Sequence, residues 1–172
     1  MVLLGPSPLA IKEIHATFIR QYGVEGYMCE GMVEGCLERA MTYIYKYQPF
    51  PKLFMKAGVI LYSIIMFHPF VDGNKRTAFE TTKIFLRLNG YEVIAPKDGV
   101  DFTKAIADGK ITEVSEIARW LKNYSKRKLG YVLNSYLLKF VLLLYSKSSK
   151  EEIQTLPKQT LLLLQAIKLY PD

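Results

Sequence analysis

An all-α fold is what the 172 residues predict. Apolar residues recur at three- and four-residue spacing in one segment after another, the period of a helix with one buried face. Helix-start and helix-stop signals, such as Ser7-Pro8 and Asn89-Gly90, punctuate those segments. No stretch alternates long enough to suggest a large sheet. With 50% hydrophobic residues the chain supports a sizeable core, which excludes wholesale disorder. Its length suits one domain, or one domain with an appendage.

The elements follow in order. Ser7 caps a first helix with Pro8 at its first position, and Ile11, Ile14 and Phe18 mark its inner face. His15 lies at the edge of that stripe, a position that suits a packed or surface histidine better than a ligand. From about Glu30, Val33, Leu37, Ala40, Met41 and Ile44 keep helical spacing. Pro49 and Pro51 end that helix, and residues 47–54 read as a loop or short flap. Met55 to Phe67 is apolar nearly all round, as in a buried helix, and Pro69 stops it. A further helix is expected from about Lys75 to Leu88, then a short strand over 91–94 and a short helical piece over 102–107. Thr112 is the expected cap of a helix carrying Val114, Ile117, Ala118 and Leu121. Beyond a boundary near residue 125, helices are expected at about 130–146 and 158–169. Residues 1–125 thus read as the core and 126–172 as a basic helical extension.

Charge is uneven along the chain. The net charge is +7, yet residues 126–172 hold eight Lys or Arg against three Asp or Glu, leaving +2 for the first 125. Such a tail suits nucleic acid, an acidic partner or anionic lipid, or is a solvated face. Its apolar helix must pack on the core, on the last helix or on another copy, so a homo-oligomer through 126–172 stays open. Cys29 and Cys36 fit neither a zinc pair nor a redox motif, and reduced thiols in a cytoplasmic protein are expected. The N-terminal MVLLGPSPLAIKEIH lacks a basic region and is broken by prolines, unlike a signal peptide. The apolar runs 57–67 and 131–145 are too short or interrupted to span a bilayer, so a soluble protein with no membrane role is expected.

Chemistry is concentrated in His68-Pro69-Phe70-Val71-Asp72-Gly73-Asn74-Lys75-Arg76, between two apolar segments. The C-terminal half of this stretch falls at a helix start, where free N–H groups and the positive end of the dipole bind anions. Gly73 lets a phosphate approach the backbone, Asn74 tolerates unusual angles, and Lys75 and Arg76 add charge. Asp72 is a hard oxygen ligand suited to Mg²⁺ beside phosphates. His68 is a candidate general base, able to take a proton from a hydroxyl as that oxygen attacks phosphorus. Phe70 is expected to anchor the loop in the core. Together these groups suggest phosphoryl or nucleotidyl transfer, with catalysis by positioning and charge neutralisation.

This stretch resembles the Fic/Doc superfamily signature, written HPFx[D/E]GN[G/K]R. Thr77-Ala78-Phe79, the run Phe85 to Tyr91 and Asp108-Gly109-Lys110-Ile111 resemble the corresponding parts of Doc-type proteins, so the likeness covers about residues 5–125. It implies a helical bundle with the motif at the start of a central helix, and a substrate-aligning flap or hairpin near residues 47–54. Members move part of a nucleoside triphosphate, such as ATP, onto a hydroxyl of a target protein. By position, the likeness implies His68 as the base and Asp72 as the Mg²⁺ ligand. Phe70, Gly73, Asn74, Lys75 and Arg76 make up the implied phosphate- and nucleotide-binding set, with Gly73 and Asn74 forming the anion hole.

AMP-transferring members carry glycine where this chain has Lys75, whereas Doc-type members carry lysine, which implies a flipped nucleotide and γ-phosphate transfer. Pro69 and Gly73 follow the AMP-transferring pattern. Phosphate transfer is therefore the first reading and AMPylation the alternative. A reading of another class is a non-catalytic basic binding module. An inhibitory [S/T]xxxE[G/N] helix is not visible, since Ile117 follows the spaced pair Thr112 and Glu116. Doc-type toxins are restrained by a separate antitoxin peptide, so a similar partner is implied here.

Overall fold

A computed structural model of the chain describes residues 3–20, 23–29, 31–45, 47–94, 98–145 and 158–170. Its axis is the apolar segment before the motif. This helix, α3 (Leu53–Phe67), buries nine of its fifteen residues, from Lys56 to Ile65. A helix apolar all round has no solvent face to keep, so neighbours enclose it. These are α2 (Met32–Met41), α4 (Asn74–Leu88), α5 (Asp98–Ala107) and α6 (Val114–Asn123). Gly58 sets the approach of α6: a Cβ there would stand 3.2 Å from the Val114 carbonyl oxygen and 3.3 Å from the Ala118 nitrogen. α1 (Pro8–Ile19) flanks α4 and α2. Ser7 caps it as expected, its Oγ accepting from the Ala10 N–H at 3.2 Å.

The fold is helical, with two small antiparallel ribbons. β2 (Tyr91–Val93) is the expected short strand, and it pairs with β3 (Ser125–Arg127). The second ribbon joins β1 (Leu3–Pro6) to β4 (Ile167–Tyr170), with Leu3 opposite Tyr170. Between them lie α7 (Leu129–Tyr145) and α8 (Lys158–Ala166). The second ribbon corrects the expectation of helix through residue 169: the helix stops at Ala166, because the backbone edge of residues 3–6 offers Ile167–Tyr170 a ladder. A helical period continues in the letters, but pairing with a distant segment decides the conformation.

Several boundaries also move. α5 begins at Asp98, four residues before the expected Phe102. The cap of α6 is Glu113, with extended backbone and no side-chain cap bond, rather than Thr112. Residues 47–52 form the loop expected over 47–54, two residues shorter than its bounds. Ile44 and Tyr47 exchange two backbone bonds of 2.8 Å around Tyr45, which has a positive φ of 47°, while Leu53 and Phe54 already belong to α3. Pro51 stands just outside α3, where its missing N–H costs the helix nothing. Cys29 precedes α2 and is exposed, whereas Cys36 is buried within it, so the two do not share one helix. Burial pushes the Cys36 thiol up to about 11, which keeps it protonated. Among the described residues no helix is long and apolar enough to cross a membrane.

Candidate active site

The motif loop is the corner between α3 and α4. α3 ends on His68, whose backbone is left-handed at φ 49°, ψ 59°. Pro69 disfavours helical angles in the residue before it, and a left-handed turn releases the chain from the helix axis. The imidazole is exposed at the corner, and its Nδ1 lies 3.2 Å from the Met66 carbonyl oxygen. A carbonyl only accepts, so the proton of the neutral ring resides on Nδ1 and the lone pair on Nε2.

The other side of the corner is the N-terminus of α4. Its cap residue is Gly73, at φ 76°, which supplies no side chain to the first-turn N–H groups. Those groups of Asn74, Lys75 and Arg76 are therefore available to an anion, with the helix dipole behind them. Asp72 is exposed; its Oδ1 accepts from the Gly73 N–H at 2.6 Å. That bond leaves the second carboxylate oxygen for another ligand. His68, Asp72, Gly73, Asn74, Lys75 and Arg76 line one cavity of about 390 Å³, closed on the α1 side by Phe18 and Ile19. Lys75 and Arg76 also reach a neighbouring groove of about 610 Å³ between α4 and α5.

Two residues of the expected nucleotide-binding set also hold the corner together. Phe70 is wholly buried, anchoring the loop in the core as expected, and does not line the cavity. Asn74 turns its amide back onto the same residue: Nδ2 donates to the Phe70 carbonyl at 2.7 Å, and Oδ1 accepts from the Phe70 N–H at 3.0 Å. The Asn74 side chain thus ties the corner shut, and only its backbone is left for an anion.

Behind the loop lies a support that the motif alone does not reveal. His15 of α1 is buried and stacks on Phe70 with ring centres 3.8 Å apart. Its Nε2 donates to the Asp72 carbonyl at 3.0 Å. Residues 26–28 run antiparallel to the loop: the Met28 N–H donates to the Pro69 carbonyl at 2.9 Å and the Val71 N–H to the Gly26 carbonyl at 3.0 Å. The sequence signal for His15 was its place beside the apolar stripe of α1, which favours a packed histidine. Which loop it packs against depends on the α1–α4 contact.

A metal here has one protein carboxylate to rely on. Among the described residues no group of three or more His, Cys, Asp or Glu gathers to hold an ion. A single carboxylate completed by phosphate oxygens and water is the donor set of nucleotide-bound Mg²⁺. The residues present therefore fit Mg²⁺ brought in with a nucleotide better than a resident ion.

The sequence matches a family model and two named proteins. The family model described as Fic/DOC family matches residues 7–86, which span α1 to α4 and the whole corner. A protein named Toxin Doc from Mycolicibacterium smegmatis is 35% identical over 68 residues, 40% of this chain and about half (52%) of that protein. A protein named Protein kinase doc from Escherichia phage P1 is 32% identical over 117 residues, 67% of this chain and 91% of that protein. With the motif corner inside the family match and a relative aligned along nine tenths of its own length, the chain belongs to the Fic/DOC family.

Proposed function

We propose that this corner transfers the γ-phosphate of a nucleoside triphosphate to a hydroxyl of a target protein. The observation that carries the proposal is the shared cavity: His68 and the uncapped N-terminus of α4 line one space of about 390 Å³. In this reading the triphosphate lies on the backbone N–H groups of residues 74–76, with Arg76 adding a two-donor contact. His68 Nε2 takes the proton of the target hydroxyl as its oxygen bonds to the γ-phosphorus. The bond from that phosphorus to the bridging oxygen breaks, and the nucleoside diphosphate leaves. Asp72 would hold Mg²⁺ through its second oxygen, and the ion supplies charge neutralisation on the phosphates.

Lys75 supports phosphate over AMP transfer. It stands in the first turn of α4 and lines both the motif cavity and the adjoining groove, where it adds a cation. The likeness to a protein named as a kinase points the same way. Toxin activity is proposed from the name of the Mycolicibacterium smegmatis relative, and restraint by a separate peptide from the resemblance to Doc-type proteins. The groove between α4 and α5 suits such a peptide: Phe79 and Val100 line it, and Lys75 and Arg76 form its border with the active site.

The test uses ATP labelled at either end. Label from the γ position is expected on a target protein, dependent on Mg²⁺ and absent with His68→Ala. Label from the α position would replace phosphate transfer by AMPylation. Lys75→Gly is expected to cut γ-transfer at least tenfold, and an unchanged rate would remove Lys75 from the argument.

A further inference from the structure

The candidate active site makes no use of α7, whose outer face carries a different chemistry. Toward the core, Val132 lies against Gly90, and Ser135 and Leu138 face α4. Outward, Leu129, Leu133, Tyr136, Leu137 and Phe140 are 74%, 60%, 62%, 62% and 59% exposed. Leu129, Leu133, Tyr136 and Phe140 follow the alternating four-three spacing of a coiled-coil seam, with Leu137 beside it. Taking about 200 Å² for a large side chain, the five leave about 600 Å² of apolar surface, at the upper end of what monomers show.

We infer that this seam is where two copies of the chain pair, α7 against α7 and antiparallel. None of the five side chains is charged, although Lys139 holds its Nζ 5.7 Å from the centre of the Tyr136 ring; an apolar stripe of this kind is matched by a second copy of itself. Two copies would bury about 1,200 Å², the lower bound of a stable specific interface. Orientation follows from Lys126, Arg127 and Lys128, which stand together just before α7. Parallel pairing would bring six cations to one end. Antiparallel pairing separates the two clusters by the length of a 17-residue helix, about 25 Å, well beyond the screening length of about 8 Å at physiological salt. The inference does not depend on the reading of the active site.

Sedimentation equilibrium of the full chain at tens of micromolar is expected to give twice 19.8 kDa. Leu133→Glu with Phe140→Glu is expected to give 19.8 kDa with an unchanged circular dichroism spectrum. Disulfide trapping stands even if that double variant fails to fold. With Cys29 replaced by serine, a mixture of Leu129→Cys and Phe140→Cys chains should cross-link, and neither should do so alone. A monomeric wild type, a dimer that survives both glutamates, self-cross-linking of Leu129→Cys, or a gain in mass only with another protein would each overturn the pairing.

Discussion

His68 is held in a conformation that side chains avoid. A left-handed backbone at a non-glycine residue costs on the order of 1–2 kcal/mol, and the surrounding loop has to sustain it. His68→Gly is therefore expected to raise unfolding stability in urea by up to ~1 kcal/mol while abolishing label transfer. A variant that loses both would show that the ring itself braces the corner. Asn74 makes the opposite case. Its amide satisfies both backbone groups of buried Phe70, and Asn74→Ala is expected to cost about 2–4 kcal/mol by leaving them unpaired. Chemical denaturation of the variant checks this. The place of His68 at the end of α3 was legible in the nine-residue stretch, since Pro69 stops an apolar helix there. The inward turn of Asn74 was not, because a donor and an acceptor so close in sequence show no direction until the corner closes around them.

Helices carry the site by being placed, and their own pattern told most of where they begin. The all-round apolar composition of α3 announced a buried axis, and Ser7-Pro8 announced the start of α1. What the letters did not reveal were the contacts that have no period. The stacking of His15 on Phe70 crosses 55 positions, and the backbone bonds of residues 26–28 to the motif loop carry no side-chain signature. α1 is also clamped to α2 by Lys12 and Glu34, 3.0 Å apart. The Glu34 carboxyl is held below its ordinary 4.5, first by a hydrogen bond from its own backbone N–H and then by Lys12. A lowered folded value means that the clamp contributes fully above 4.5 and is lost as pH falls through the lower folded value. Urea midpoints measured downward from pH 6 should therefore decline more steeply for the wild type than for Glu34→Gln. Equal declines would place the acid sensitivity elsewhere.

Across the whole molecule, two strands of the C-terminal part pair with the core, β3 with β2 and β4 with β1. The charge break near residue 125 marks a change of composition, but β3 lies right across it. Tyr170 is part of the hydrophobic core, 5% exposed, and burial pushes its phenol up to about 12. Tyr170→Ala is expected to cost about 3 kcal/mol, or roughly 6–12 °C in Tm. A calorimetric scan that shows no change would mean that the second ribbon is dispensable. The strand character of residues 3–6 and 167–170 escaped the sequence reading for one reason: each is too short to alternate convincingly, and each becomes a strand only when the other is present.

That dependence has a consequence for synthesis. β1 leaves the ribosome more than 160 residues before its partner. At about 5–20 residues per second, Leu3 and Leu4 wait roughly 10–30 s for the strand that completes their ribbon. Residues 7–86, with the complete motif corner, have long emerged by then. A nascent chain thus carries the whole motif corner, and the α4 face and Asn89 on which β1 rests, before β1 has a strand beside it.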